Sequence, residues 1–210
     1  MPRSTVPHFT YQHVFEPATD PEAPPLLLLH GTGGSEHDLL RVGRAISPGS
    51  SLLSPRGDVN EGGALRFFAR LDEGVFDPQE ITRRTNALAD FLVAAGTHYK
   101  IDPLRLVAIG FSNGANIAAT LLLLRPDVLG GAALFRPMAV LNQSAAPGSL
   151  TGRRVLLCNG STDPLVPPDD PARLATLLRA GGADVKLESI PASHALTPQD
   201  VAAAQSWLRS

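Results

Sequence analysis

A chain of 210 residues, 43% hydrophobic and 18% charged, has apolar side chains enough for one substantial core and too few charges for a disordered polymer. A single domain spanning residues 1–210 is therefore expected. The formal net charge of -2, spread without long runs, provides no basic surface and argues against nucleic acid as a partner. The lone Cys158 forms no intrachain disulfide, no stretch approaches the roughly 20 apolar residues of a membrane span, and the opening MPRSTVPHFTYQH has no apolar run of signal-peptide type, so a cytoplasmic protein away from membranes is expected.

In chain order, His8 to Phe15 alternates polar with apolar or aromatic residues, the pattern of a half-exposed edge strand with His8 and His13 on its surface. After a turn at Asp20 to Pro25, the uniformly apolar Leu26 to Leu29 reads as a strand buried on both faces. It runs into His30-Gly31-Thr32-Gly33-Gly34-Ser35, which lacks both the Lys-Ser/Thr of a P-loop and the glycine spacing of a dinucleotide site. A histidine-glycine loop after a strand is, however, where one class of hydrolase places its second oxyanion donor. The backbone N–H of Thr32 is assigned that role, with His30 holding the loop by hydrogen bonds. Ser35 to Ile46 predicts a helix capped by Ser35 and stopped at Ser47-Pro48-Gly49, and Ser51 to Ser54 a short strand.

From Asn60 to Pro78 the chain carries two glycine-rich turns together with Phe67, Phe68 and Phe76. These aromatics either line a substrate pocket or pack as a satellite core beneath the loop. Arg66 and Arg70 are expected to pair with Asp72 or Glu73 in preference to meeting an anionic substrate. Asp77-Pro78 opens a helix to about Tyr99, with Ile81, Leu88, Phe91 and Leu92 inward.

The stretch Leu106 to Leu124 organises the rest. An apolar run meets Gly110-Phe111-Ser112-Asn113-Gly114 and then an Ala/Leu-rich helical pattern that ends before Pro126. A strand that reverses sharply into a helix presents the middle serine on a strained turn, and Gly110 and Gly114 remove bulk that would strike the neighbouring strand and helix. The helix N-terminus behind Ser112 supplies backbone N–H groups, with that of Asn113 as the first oxyanion donor.

Gly130 to Phe135 is a further strand that delivers Arg136-Pro137-Met138 near the site. Leu141 to Gly152 is a loop too short for a separate cap. Arg153 to Gly160 repeats the strand-then-glycine pattern and leads to Asp163 at the carboxyl edge of the sheet, where loops converge. Cys158 falls inside that strand as a small buried hydrophobe. A helix over Asp169 to Gly182, a last strand Val185 to Ile190, the loop histidine His194 and a helix from Pro198 to Leu208 complete the chain. Ser112, Asp163 and His194 occur in the order of serine hydrolases built from alternating strands and helices.

With Leu29 to Gly34, Gly110 to Gly114, Asn159 to Pro167 and Ser193-His194 in place, nearly the whole chain resembles the phospholipase/carboxylesterase family of the α/β-hydrolase superfamily. Arg66 to Arg70, Gly74 to Asp77 and the Ser112-Asn113 pair are similar to its bacterial hydroquinone-resistance and YpfH-like esterase branch. The resemblance implies an α/β-hydrolase fold with a mostly parallel central sheet, helices on both faces and no cap domain. It also implies hydrolysis of small carboxylic esters by Ser112, Asp163 and His194, with Phe67, Phe68, Phe76 and Met138 as substrate-binding candidates. Neither cofactor nor metal is implied, and the partner is a small-molecule ester; some relatives are homodimers. A thioesterase or lysophospholipase, and a non-catalytic ligand-binding protein of the same fold, are the competing readings.

Overall fold

The computed structural model describes residues 9–72 and 74–210. Among these residues seven strands form the main sheet: β1 (His13–Glu16), β2 (Leu26–Leu29), β3 (Leu52–Pro55), β6 (Val107–Phe111), β7 (Gly131–Phe135), β8 (Arg154–Gly160) and β9 (Asp184–Ile190). Their spatial order is β1-β3-β2-β6-β7-β8-β9, and β1 alone is antiparallel to its neighbour. The fold is the expected mostly parallel α/β-hydrolase sheet.

Why the strands read as unbroken apolar runs is visible in how their side chains divide. Leu27, Leu29, Ala108, Ala132, Leu134, Val155 and Leu157 enter one core. The alternate residues Leu26, Leu28, Val107, Ile109, Ala133, Leu156 and Cys158 enter another on the opposite face. Period-two alternation is present, but both faces are dry, so polarity never alternates. The first core is covered by α2 (Pro78–Tyr99), α3 (Asn113–Leu124) and α4 (Asp170–Ala180), the second by α1 (Leu40–Ile46) and α5 (Pro198–Arg209).

Because β2, β6, β7, β8 and β9 are consecutive parallel neighbours, their carboxyl ends lie along one edge. The loops after them therefore gather His30, Ser112, Arg136, Asp163 and His194 on one side of the molecule.

Three expectations need correction. The helix starts at Leu40, five residues after Ser35. The Ser35 hydroxyl is spent locally, donating to Asp38 Oδ1 at 2.8 Å and accepting the His37 N–H, a turn that competes with helix initiation. That turn sends the Glu36 carboxylate inward to Arg56, at 2.5 and 2.6 Å. The edge strand is shorter and later than predicted, with His13 bonded to Tyr99 Oη at 2.8 Å; His8 lies outside the described residues. The glycine-rich connection contains a hairpin, β4 (Val59–Glu61) and β5 (Ala64–Arg66), closed by Gly62 and Gly63 at φ 60° and 95°.

The glycines flanking Ser112 are required by contact. A Cβ on Gly114 would stand 2.0 Å from the Leu29 carbonyl oxygen and 2.5 Å from that of His30, and one on Gly110 2.7 Å from Ala115 Cα. Backbone cannot yield as a flexible side chain does. Gly114→Ala is expected to lower stability by about 3 kcal/mol, read as a fall in the urea midpoint; an unchanged midpoint contradicts this packing.

Candidate active site

Ser112 sits at the junction of β6 and α3 with φ 51° and ψ -115°, a conformation that costs a non-glycine residue on the order of 1–3 kcal/mol. Its N–H donates to Phe135 O at 2.9 Å and its carbonyl accepts the Asn116 N–H at 2.9 Å, so both backbone groups are anchored and only the hydroxyl is left to project. That hydroxyl lies 2.9 Å from His194 Nε2. On the other side of the ring, Nδ1 is 2.8 Å from Asp163 Oδ2. The Asp163 side chain is 2% exposed, and its second oxygen accepts the Leu165 N–H at 2.9 Å. A carboxylate fixed in this way selects the tautomer with hydrogen on Nδ1, leaving Nε2 as the acceptor facing the hydroxyl.

Two backbone donors flank the serine. Asn113 opens α3, so its N–H has no carbonyl one turn earlier. Across from it, Gly33 and Gly34 donate to Leu65 O and Gly31 O, whereas the Thr32 N–H meets no backbone carbonyl among the described residues. The loop is held from beneath by His30, buried at 1% exposure. Its Nδ1–H donates to Gly31 O at 2.7 Å, and Nε2 accepts the Gly57 N–H at 2.9 Å. Burial lowers the His30 pKa below its ordinary 6.5, which keeps the ring neutral as both bonds require.

The hairpin supports the same loop. Arg66 Nη1 donates to Thr32 Oγ1 at 2.7 Å, and the Phe67 N–H donates to Asn113 Oδ1 at 2.7 Å. Phe67 and Phe68 are 1% and 0% exposed and belong to the core, so their assignment to the substrate pocket is corrected to the satellite-packing alternative. Phe76 and Met138 do line a cleft of about 290 Å³ that also holds Ser112, His194, Thr32 and Asn113. Arg66 and Arg70 both meet Glu61 on β4, at 3.2 and 3.1 Å. Glu73 lies outside the described residues.

Sequence reasoning assigned no role to Arg136, which is 0% exposed and has φ 56° at the end of β7. Its guanidinium grips Asp200 through both oxygens, at 2.7 and 2.9 Å. It also donates to Ser193 O and Ala195 O, each at 3.0 Å. These are the carbonyls on either side of His194, so Arg136 is a positioning residue for the histidine loop. Asp200 in turn accepts the Thr197 N–H and hydroxyl at 2.8 Å, closing the capping box of α5. The Thr-x-x-Asp capping pattern was legible in the sequence; its second partner was not.

Arg136→Met leaves Asp200 buried without its counter-charge and is expected to cost about 3–5 kcal/mol, measured by urea denaturation. Arg136→Met combined with Asp200→Leu should recover part of that loss, and no recovery argues against the pairing. For His30, the unfolded chain takes up a proton below pH 6.5 that the folded ring resists. Its contribution is therefore full above that pH and declines below it. The stability gap between wild type and His30→Gln should narrow on acidification in denaturation curves; a constant gap contradicts the buried neutral ring.

A profile of the Phospholipase/Carboxylesterase family matches residues 10–210. The chain is 41% identical to MhqD of Bacillus subtilis (strain 168), named as a hydrolase, over 94% of this chain and 98% of that protein. Among solved structures, the Bacillus cereus carboxylesterase is 41% identical, with a TM-score of 0.91 and coverage of 95% of this chain and 94% of its own. YahD, solved with malic acid, is 29% identical at a TM-score of 0.89, covering 95% and 98%. Shared fold, full-length similarity and the loops along one sheet edge together make this chain a hydrolase of the phospholipase/carboxylesterase family.

Proposed function

We propose that the protein hydrolyses small carboxylic esters through an acyl-enzyme on Ser112. One observation carries this reading: the unbroken chain from Asp163 through His194 to the Ser112 hydroxyl, with links of 2.8 and 2.9 Å, at a cleft of about 290 Å³.

In this mechanism His194 Nε2 removes the hydroxyl proton as Ser112 Oγ attacks the carbonyl carbon, a contribution of roughly 10²–10⁴-fold. Asp163 orients the ring and stabilises the imidazolium that forms. The carbonyl oxygen becomes an oxyanion between the N–H groups of Thr32 and Asn113, each such donor contributing about 2.7–4 kcal/mol. His194 returns the proton to the departing alcohol, then activates water to release the acid and restore Ser112.

Substrate size follows from the walls. A cleft near the lower end of the ~300–1,000 Å³ common for ligand sites, bounded by Phe76, Phe111, Met138 and Leu165, favours a compact acyl group over the long chain of a lysophospholipid. That YahD was solved with malic acid is in keeping with a small polar ligand.

A fluorophosphonate probe is expected to label the wild type and not Ser112→Ala, read by mass spectrometry of the intact chain. A folded wild type that remains unlabelled would favour a non-catalytic ligand-binding protein. Asp163→Asn should lower kcat on p-nitrophenyl acetate by about 10⁴-fold through the wrong imidazole tautomer. Preference for long p-nitrophenyl acyl chains over short ones counts against the substrate class.

A further inference from the structure

We propose that the cleft in front of Ser112 takes esters bearing a carboxylate, and that Arg70 together with Arg66 forms the subsite that receives it. This rests on the esterase reading and narrows its substrate class.

The first observation is the sign of the wall. Arg66 and Arg70 line the same cleft as Ser112 and His194, and no Asp or Glu lines it among the described residues. A cationic wall beside low-dielectric surfaces such as Phe76 and Met138 concentrates anions at the point of reaction.

The second is how Glu61 is used. It meets both guanidiniums at Nε, 3.2 Å from Arg66 and 3.1 Å from Arg70, so one carboxylate is divided between two cations. Arg66 has further commitments, through Nε to Phe68 O and through Nη1 to Thr32 Oγ1. It is 4% exposed, and burial lowers its pKa, with the Arg70 charge adding to that fall against the opposing pull of Glu61. Two guanidiniums so held present like charges side by side on the wall of the cleft, where an incoming carboxylate meets the field of both.

The third is reach. The Arg70 side chain is 40% exposed, so it is accessible from the cleft, while Arg66 is pinned under the oxyanion loop. Arg70 is thus the contact and Arg66 the fixed charge behind it. A planar guanidinium matches a carboxylate geometrically as well as electrostatically. The carbon skeleton of such a substrate would lie on Phe76, Met138 and Leu165. No bond to the anionic group changes: water adds across the acyl C–O bond, giving a carboxylic acid and an alcohol, one of which keeps the original carboxylate.

The test is a pH-stat comparison of matched esters. Monomethyl succinate against methyl butyrate places the charge on the acyl side; acetoxyacetate against propyl acetate places it on the alcohol side. Wild type is expected to show a kcat/KM ratio of charged to neutral ester of about ten in at least one pair, falling as ionic strength rises. Arg70→Met should bring that ratio close to one, and Arg70→Lys should retain part of it. Hydrolysis of the neutral esters with no preference for either charged one overturns the subsite and leaves the esterase reading standing. A ratio unchanged in Arg70→Met also overturns it. Hydrolysis of none of the four, with no fluorophosphonate labelling, removes the esterase reading and this proposal together.

Discussion

The backbone of α3 runs so close to the end of β2 that position 114 has no room for a side chain, the Leu29 carbonyl oxygen lying 2.0 Å from where a Cβ would stand. This approach couples the loops of Thr32 and Asn113, 81 positions apart in the chain. It brings the first turn of α3, with Asn113, beside the exit of β2, with Thr32, so that the residues of both proposed oxyanion donors border the cleft that holds the serine. The positive φ of Ser112 is the local consequence: the chain must reverse within one residue to keep both the strand and the helix in contact with β2. Strain at that residue is sustained by the Phe135 and Asn116 hydrogen bonds on its backbone.

The other half of the site is secured differently. Asp163 and His194 lie on loops after β8 and β9, with no tight helix behind them. Rigidity there comes from charge: Arg136 spans from β7 to the carbonyls flanking His194 and to Asp200 in the first turn of α5. Buried ion pairs of this kind contribute little net stability compared with an apolar replacement. They do impose direction, and five hydrogen bonds from one guanidinium leave the histidine loop few alternative placements.

The β4–β5 hairpin closes the site from the third side. It supplies Arg66 to Thr32, the Phe67 N–H to Asn113 and the Leu65 carbonyl to Gly33, touching both proposed oxyanion donors. The segment that shapes the pocket is therefore the one that steadies the oxyanion loop. A residue here, such as Asn113, serves the elbow with its backbone and the hairpin with its side chain.

What the sequence by itself determined is whatever depends on neighbours along the chain. Doubly buried strands announce themselves as apolar runs, the elbow as glycines around Ser112, the helix ends as prolines, and the order Ser112, Asp163, His194 as one architecture's order. Tertiary structure decided what depends on partners distant in sequence. Phe67 and Phe68 look the same in the sequence whether they face a ligand or a core, and only the hairpin's packing turned them inward. Ser35 is a good cap by type, yet its hydroxyl closes a local turn with Asp38 and His37, and the inward Glu36 finds Arg56, a partner 20 residues on. Arg136 follows an apolar strand with no partner legible beside it until Asp200, 64 residues later, is placed against it. A charge or an aromatic ring specifies that it needs a partner, while the identity of that partner is a property of three-dimensional proximity.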